Sequence, residues 1–210
     1  MFLVVIFEFI GTVAFAITGT LLGIKKQLDI FGVIFLAIIT AVGGGIIRDI
    51  IIGNVPPTAF KEPIYCIVSI ITSLITCIFY HKISQLNALI LICDAIGLGI
   101  FTAAGANTAL VHGFNQLFIV ITTGLMTGVG GGILRDVFVK EIPFIFRKDV
   151  YAVASIAGAL ALYYSNIFLS EIASLYICFF VTLIIRIICI KKDIHLPNFK
   201  LEEKVLDLSA

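Results

Sequence analysis

Long apolar runs separated by short polar links make up most of this chain. Seven runs approach the roughly 20 residues that a helix needs to cross the hydrocarbon core of a membrane. Four of them contain no charged residue and three contain one each. The pattern predicts an all-α integral membrane protein with seven transmembrane helices, since spanning β-strands would alternate over about ten residues instead. The predicted spans are Met1–Gly23, Ile30–Ile47, Ile64–Tyr80, Leu86–Val111, Phe114–Leu134, Val150–Ser170 and Ile172–Ile190.

The composition excludes a water-soluble domain of this size. Hydrophobic residues make up 60% of the 210 positions and charged residues only 13%, and the mean hydropathy is +1.18. A soluble domain carries about a quarter charged residues. The net charge of +1 gives no electrostatic reason to expect a nucleic-acid partner.

The distribution of lysine and arginine predicts the orientation in the membrane, because basic residues concentrate in cytoplasmic loops. One side receives only Lys61, and the other receives Lys25, Lys26, Lys82, Lys140, Arg147, Lys148, Lys191, Lys192, Lys200 and Lys204. We expect the N-terminus outside and the C-terminus in the cytoplasm, with residues 191–210 as a cytoplasmic tail. The first apolar run has no basic residues before it, so we interpret it as a spanning helix rather than a signal peptide.

A duplicated motif divides the chain into two similar halves. Gly43-Gly44-Gly45-Ile46-Ile47-Arg48-Asp49 returns 87 residues later as Gly130-Gly131-Gly132-Ile133-Leu134-Arg135-Asp136. We expect a first three-helix repeat over residues 1–86, a second over 87–170 and a seventh helix over 171–190. Because each repeat has three spans, the second must cross the membrane upside down relative to the first. Inverted repeats of this kind place the solute path of many transport proteins at the repeat interface.

The glycine triplets allow two interpretations. Small residues at four-residue spacing let membrane helices approach closely, as at Gly124, Gly128 and Gly132. Three consecutive glycines, at 43–45 and 130–132, fit close packing less well because adjacent residues point to different sides of a helix. We therefore expect the second and fifth spans to be bent or broken there. Broken backbone is tolerated at membrane depth only where it lines protein or water, so this interpretation places the triplets beside a polar path.

Two Arg-Asp pairs, at the ends of the second and fifth spans, are candidate functional residues. Arg48 with Asp49 and Arg135 with Asp136 are expected near opposite faces of the membrane. One interpretation is that each arginine extends to the lipid headgroups. The other is that each acts as a gate or a counter-charge along the path, and the repetition beside the glycines favours this functional role.

Acidic residues inside the first and fourth spans are costly if they face lipid. Glu8 and Asp94 lie about 10 Å into their helices at 1.5 Å per residue. They either form structural salt bridges with Arg48 or Arg135, or line a route for cations. The third span has a polar face that is used for interhelical hydrogen bonds or for lining a pore, formed by Ser69, Thr72, Ser73 and Thr76.

The remaining reactive side chains give no indication of an enzyme. The five cysteines all fall inside predicted spans without metal-ligand spacing, and we interpret them as small apolar fillers. The three histidines form no catalytic or zinc arrangement. Gly128 and Gly130 are followed by Ile133, which breaks the dinucleotide-binding pattern. We expect no catalytic residues, no metal site and no cofactor.

The seven spans, the inverted duplication and the paired Gly-Gly-Gly-x-x-Arg-Asp motif resemble the prokaryotic trimeric intracellular cation channel family over residues 1–190. The resemblance implies a homotrimer in the plasma (inner) membrane of a prokaryote. Each subunit would contain its own pore beside the second and fifth helices, permeable to potassium and sodium ions. Membrane lipids are the other implied partners. Animal members bind phosphoinositide at a lysine-bearing motif, which Gly-Gly-Gly-Ile-Ile-Arg-Asp replaces here, so that lipid site is not expected.

The function expected from the sequence is therefore a weakly selective, potassium-permeable cation channel. Glu8 and Asp94 would favour cations, and carbonyls freed at the glycine triplets would help to replace ion hydration. Weak selectivity is expected because no Thr-Val-Gly-Tyr-Gly filter is present. The alternative is a secondary transporter of a small solute such as glycine, since a wider group with this domain carries that label. In a transporter, helix N-termini would bind the carboxylate. A purely structural subunit is the third possibility.

Overall fold

The computed structural model of the chain describes residues 2–82, 86–147 and 150–192. Within these ranges the chain forms nine α-helices, a 3-10 turn at Tyr80–Lys82 and no β-strand. The helices are α1 Phe2–Lys25, α2 Ile30–Ile51, α3 Thr58–Lys61, α4 Ile64–Phe79, α5 Leu86–Val111, α6 Leu117–Phe138, α7 Phe144–Arg147, α8 Val150–Ser165 and α9 Glu171–Lys192. The expected cytoplasmic tail, with Lys200 and Lys204, lies outside the described residues apart from the end of α9, and so does Lys148.

Six helical segments of the described chain are long and apolar enough to cross a membrane, namely α1, α2, α4 together with the 3-10 turn that extends it to Lys82, α5, α6 and α9. The chain is therefore an all-helical integral membrane protein, as the hydropathy pattern predicts. The predicted span Val150–Ser170 is shorter in the structure, because α8 ends at Ser165 after 16 residues and a turn follows. Seven spans are predicted from the sequence. In the structure six are of spanning length, and α8 is a shorter apolar helix.

Four helices form a closed ring at the centre of the bundle. In this ring α1 packs against α2, α2 against α6, α6 against α5, and α5 against α1. Outside the ring, α4 packs on α1 and α2, while α8 occupies the corresponding place on α5 and α6. The remaining long helix, α9, packs mainly on α5 and α8. It also contacts α1, where the Phe7 ring meets the rings of Tyr176 and Phe179.

Four helices end in turns that contain a residue in the left-handed conformation. The turns after α2 and α6 use Gly53 at φ 75° and Lys140 at φ 57°, and those after α1 and α5 use Gln27 at φ 57° and Gly113 at φ 82°. In each turn the next amide donates to the carbonyl five residues earlier, at 2.8 to 3.1 Å. This hydrogen bond is typical of a glycine-type helix end. The members of each pair are 87 and 86 residues apart, so the turns recur with the spacing of the duplicated motif.

Two hydroxyl groups on the polar face of α4 are satisfied within their own helix. The hydroxyl of Ser69 donates to the carbonyl oxygen of Tyr65, and that of Thr76 donates to the carbonyl oxygen of Thr72, both at 2.8 Å. Both side chains are buried. The prediction of interhelical hydrogen bonds is therefore wrong for these two residues. A backbone carbonyl one turn earlier in the same helix offers a nearer acceptor.

Candidate functional site

The glycine triplets lie where α2 and α6 cross. Both helices are continuous through them, α2 from Ile30 to Ile51 and α6 from Leu117 to Phe138. The predicted break of the helices at Gly43–Gly45 and Gly130–Gly132 is therefore wrong, and the alternative, a bend at the same glycines, stays a prediction. The glycines are present for the other reason considered from the sequence: they allow two intact helices to approach each other very closely.

The two backbones approach so closely that no side chain fits between them. A methyl group added at Gly44 would collide with the carbonyl oxygen of Thr127, and one added at Gly131 would collide with the carbonyl oxygen of Thr40. A methyl group at Gly130 would lie 3.0 Å from the Cα atom of Gly44. The two collisions involve residues 87 positions apart, so the same contact occurs twice in reciprocal form. Glycine costs about 1 kcal/mol relative to alanine inside a helix, and helix-to-helix packing offsets that cost here.

The third glycine of each triplet faces a charged group instead of the other helix. A methyl group at Gly45 would have one neighbour within 4 Å, Nη2 of Arg48 at 3.9 Å. The corresponding position at Gly132 is more crowded. Its three nearest neighbours would be the hydroxyl of Tyr151 at 3.2 Å, Nη2 of Arg135 at 3.8 Å and Oδ1 of Asp94 at 3.9 Å. Consecutive glycines thus serve different contacts because they point in different directions.

Arg48 turns into the protein rather than towards the lipid headgroups. Its Nε donates to Oδ1 of Asp49 at 2.9 Å, and Oδ2 of Asp49 accepts a hydrogen bond from the amide of Thr58 at 2.7 Å. Arg48 is 9% exposed and Asp49 only 1%. The headgroup interpretation is therefore wrong for Arg48. Through Asp49, the end of α2 is joined to the first residue of α3.

Glu8 lies beside this pair without joining it. Oε2 of Glu8 accepts a hydrogen bond from the Tyr65 hydroxyl at 2.8 Å. No ion pair of Glu8 within 4 Å occurs in the described part of the chain. Glu8, Gly45, Arg48 and Tyr65 instead line one cavity of about 60 Å³. A water molecule needs roughly 10–15 Å³ of such space, so several fit beside the carboxylate. We call Glu8, Arg48 and Asp49 the first charged cluster.

The corresponding residues of the second half form a closed salt-bridge network. Nη1 of Arg135 donates to Oδ1 of Asp94 at 2.9 Å and to the hydroxyl of Thr18 at 3.1 Å. Nε of Arg135 donates to Oδ1 of Asp136 at 2.8 Å, and Oδ2 of Asp136 accepts from the amide of Phe144 at 3.0 Å. All three charged side chains are buried, so the headgroup interpretation is wrong for Arg135 as well. Of the two alternatives for Asp94, the salt bridge is the one observed.

Two further residues were not predicted as part of this site: Tyr151, whose hydroxyl lies beside the network at Gly132, and Arg186, which packs on the Tyr151 ring. Tyr151 of α8 and Arg186 of α9 are each 2% exposed. The Arg186 guanidinium carbon lies 4.6 Å from the centroid of the Tyr151 ring, within the range of a cation–π contact. A signal for Arg186 was present, since it is the single charge of the last span. We call Asp94, Arg135, Asp136 and Arg186 the second charged cluster.

Tyr65 and Tyr151 were also missed, although a signal for them exists. They are 86 residues apart, the spacing that relates Glu8 to Asp94 in the two halves. The hydroxyl of Tyr65 donates a hydrogen bond to the carboxylate of Glu8. Tyr151 approaches the same side of Gly132 as Asp94.

The two clusters differ in charge balance and in access. The first has two carboxylates and one guanidinium and borders a cavity. The second has two carboxylates and two guanidinium groups, all buried. A carboxylate excess in a partly enclosed cavity raises the local concentration of cations. The first cluster is therefore the part of the described chain best suited to attract a cation.

Comparison of the sequence with known proteins places these features in a family. The family model described as glycine transporter matches residues 5–81 and again residues 91–166. The inner membrane protein YadS of Escherichia coli K12 is 40% identical over 200 residues, which cover 93% of this chain and 96% of the relative. A membrane protein of Vibrio cholerae is 40% identical over 206 residues, covering 95% and 84% of the two chains.

Solved structures of the same fold carry a more specific name. A TRIC cation channel is 37% identical and superposes with a TM-score of 0.86, covering 94% of this chain and 97% of the other. The TRIC trimeric intracellular cation channel orthologue from Rhodobacter sphaeroides is 30% identical with a TM-score of 0.88, covering 92% and 100%. The family resemblance of the duplicated motif is thus confirmed. This chain belongs to the prokaryotic TRIC, or trimeric intracellular cation channel, family.

Proposed function

We propose that this chain forms a weakly selective channel for monovalent cations, permeable to potassium, in the plasma membrane of a prokaryote. The observation that carries the proposal is the cavity beside Glu8. It offers a carboxylate that forms no ion pair with the described residues, is held by the Tyr65 hydroxyl and lies in a space large enough for water. Similarity to TRIC cation channels over more than nine tenths of the chain supports the same function.

The proposed pore lies inside each subunit, beside the crossing of α2 and α6. The first charged cluster lies at one end of the path, and the second, which is closed in this structure, limits access at the other end. Because both helices are continuous, their carbonyl groups are not freed at the glycines for ion coordination. Side chains and water supply the polar lining instead. Such a lining discriminates weakly between potassium and sodium, since neither ion exchanges its full hydration shell for fixed ligands.

The proposed architecture is an inverted repeat of residues 1–86 and 87–170, followed by a seventh span at 171–190 in α9. Three findings support it: the family model matches twice, the helix-end turns recur at the repeat spacing, and the glycine contacts are reciprocal. In this arrangement α8 is the sixth span, a short one of about 24 Å at 1.5 Å per residue. The N-terminus lies outside, the C-terminus lies in the cytoplasm, and three subunits assemble as in the trimeric relatives.

Single-channel recording in a planar bilayer tests the function, with potassium chloride on one side and sodium chloride on the other. We expect discrete unitary currents and a reversal potential close to zero, because the two cations permeate similarly. A current carried by chloride would contradict the proposal. Folded protein that gives no unitary current at any voltage but takes up glycine into liposomes would favour the transporter, which the similarity to solved channels does not favour.

A further inference from the structure

Several buried polar atoms of the second charged cluster and of Tyr151 make no close hydrogen bond to a protein group in the described part of the chain. In the described residues they are Oδ2 of Asp94, Nη2 of Arg135, the hydroxyl of Tyr151, and Nε and Nη2 of Arg186. None of these four side chains is more than 2% exposed. They come from α5, α6, α8 and α9, so the feature belongs to the packing of four helices and not to one local turn.

Leaving these atoms unpaired would be costly. A buried donor or acceptor without a partner costs about 1–3 kcal/mol, and a charged group costs more. Arg186 is the extreme case, because it makes no ion pair within 4 Å in the described part of the chain. Its contact with the Tyr151 ring offsets only a small part of the desolvation cost. Such a group of atoms is retained in a stable fold only when something else completes its hydrogen bonds.

Three of the four side chains converge on the place where Gly132 lacks a side chain. From that point the Tyr151 hydroxyl is 3.2 Å away, Nη2 of Arg135 is 3.8 Å away and Oδ1 of Asp94 is 3.9 Å away. The surrounding groups mix donors and acceptors. Guanidinium groups only donate, a carboxylate only accepts, and a phenol does both.

The charge balance indicates which ligand fits. Two guanidinium groups and two carboxylates cancel in the second charged cluster, so a cation meets two positive neighbours and an anion meets two negative ones. Water is neutral, donates and accepts, and is the usual partner of buried polar groups in proteins. Of these three ligands, only water satisfies both kinds of atom without an uncompensated charge.

We propose that the space at Gly132 is a built site for ordered water, which bridges Arg186 to Asp94 and Tyr151. The water completes the hydrogen bonds of Arg186 and so allows α9 to bring a charged residue into the interior. The inference rests on the buried polar atoms and holds whether the chain is a channel or a carrier. It concerns the second half alone, since the matching glycine of the first half, Gly45, borders an accessible cavity.

Radiolytic footprinting tests the site in the purified full-length protein. A short X-ray pulse splits ordered water into hydroxyl radicals in place, and these oxidise the adjacent side chain. We expect Tyr151, 2% exposed, to be oxidised several-fold faster than Phe15, which is 1% exposed. Both aromatic rings react readily with hydroxyl radicals, so the difference reports adjacent water. Equal, slow oxidation of the two residues would overturn the proposal.

Two matched variants distinguish ordered water from bulk solvent. Gly132→Ala places a methyl group at the proposed water position, and Gly45→Ala places one at the repeat-related position in the first half. In folded Gly132→Ala protein, we expect Tyr151 oxidation to fall towards the rate of Phe15, whereas Gly45→Ala leaves it unchanged. An unchanged rate in folded Gly132→Ala would show that bulk solvent reaches Tyr151 and would overturn the proposal. If Gly132→Ala does not fold, the wild-type comparison of Tyr151 with Phe15 still decides the result.

Discussion

Arg135 and Asp94 form a salt bridge of 2.9 Å, and neither side chain is appreciably exposed. The pair joins α5 to α6, and Arg135 is held from its other edge by Asp136. The repeat-related residues Arg48 and Glu8 line the same cavity without forming such a pair. The two halves therefore use similar residue types differently. In the second half the charged residues hold two helices together, and in the first half they line a polar cavity.

Removing the buried carboxylate of this pair is predicted to destabilise the fold strongly. Asp94→Ala leaves Arg135 with one carboxylate in the protein interior, and breaking a buried pair in this way costs about 3–5 kcal/mol. Glu8→Ala loses mainly the hydrogen bond from Tyr65, which contributes about 1 kcal/mol. The measurement is the midpoint of thermal unfolding in detergent for each variant, obtained from the amount of folded protein that gel filtration detects after heating. Similar unfolding midpoints for the two variants would contradict the conclusion that the salt bridge of the second half stabilises the fold.

The glycine crossing is predicted to tolerate no methyl group. Gly44→Ala and Gly131→Ala each place a methyl group against a backbone carbonyl, which no change of side-chain rotamer relieves. Overpacking costs typically about 1–3 kcal/mol, and we expect the upper end or beyond. Gly45→Ala is the control, because its nearest neighbour would be 3.9 Å away. The readout is the yield of folded protein together with the unfolding midpoint. Wild-type behaviour of all three variants would exclude the close approach.

Glu8 is predicted to set the preference for cations. Glu8→Gln keeps an acceptor for the Tyr65 hydroxyl but removes the charge, so we expect the ratio of cation to anion permeability to fall several-fold. The measurement is the reversal potential in a gradient of potassium chloride, which should move towards zero. Glu62→Gln is the control, since it removes one charge from an exposed residue outside the cavity. Equal reversal potentials in wild type and Glu8→Gln would show that Glu8 does not contribute to the cation preference of the path.

The unequal access to the two halves predicts a difference in cysteine reactivity. The five native cysteines are free, so they are first replaced by alanine or serine. In that background, Gly45→Cys should react quickly with a charged thiol reagent because it opens into the cavity. Gly132→Cys lies against the buried Tyr151 and should react at least tenfold more slowly. Equal rates would mean that the second charged cluster is as accessible as the first.

The left-handed residues at the helix ends predict opposite effects of adding and removing glycine. A left-handed conformation costs a non-glycine residue about 1–2 kcal/mol. Lys140→Gly should therefore stabilise the protein by about 1 kcal/mol, and Gly53→Ala should destabilise it by a similar amount. The positions are related by the repeat spacing and lie in turns of the same geometry. Unfolding midpoints that shift in the same direction for both variants would contradict this account.

Hydropathy and the duplicated motif were sufficient to predict the class of fold and the family. Both depend on patterns that extend over many residues, and a few local exceptions do not erase them. The state of the glycine triplets was not predictable, because consecutive glycines suit both an interrupted helix and a close crossing. The choice depends on whether a second backbone lies opposite, and Thr127 lies 83 residues beyond Gly44 in the sequence.

The site was predicted in its charged residues and missed in its aromatic ones. Glu8, Asp94 and the two arginines were identifiable because charge is costly inside a membrane. Tyr65 and Tyr151 were missed because tyrosine occurs in apolar spans for many reasons, and its hydroxyl gains a role only from its neighbours. The difference in charge between the two clusters was also hidden, since Arg186 comes from α9, which has no counterpart in the repeat.

The contact of Gly44 with Thr127 and of Gly131 with Thr40 has a mechanical consequence. Two backbones that touch without side chains have no rotamers to absorb a displacement, so a shift of one helix at this point moves the other. Turning about the same point compresses nothing and is the least costly relative motion of the two helices. The crossing therefore acts as a pivot, and a tilt that widens the space between the helices at one end narrows it at the other.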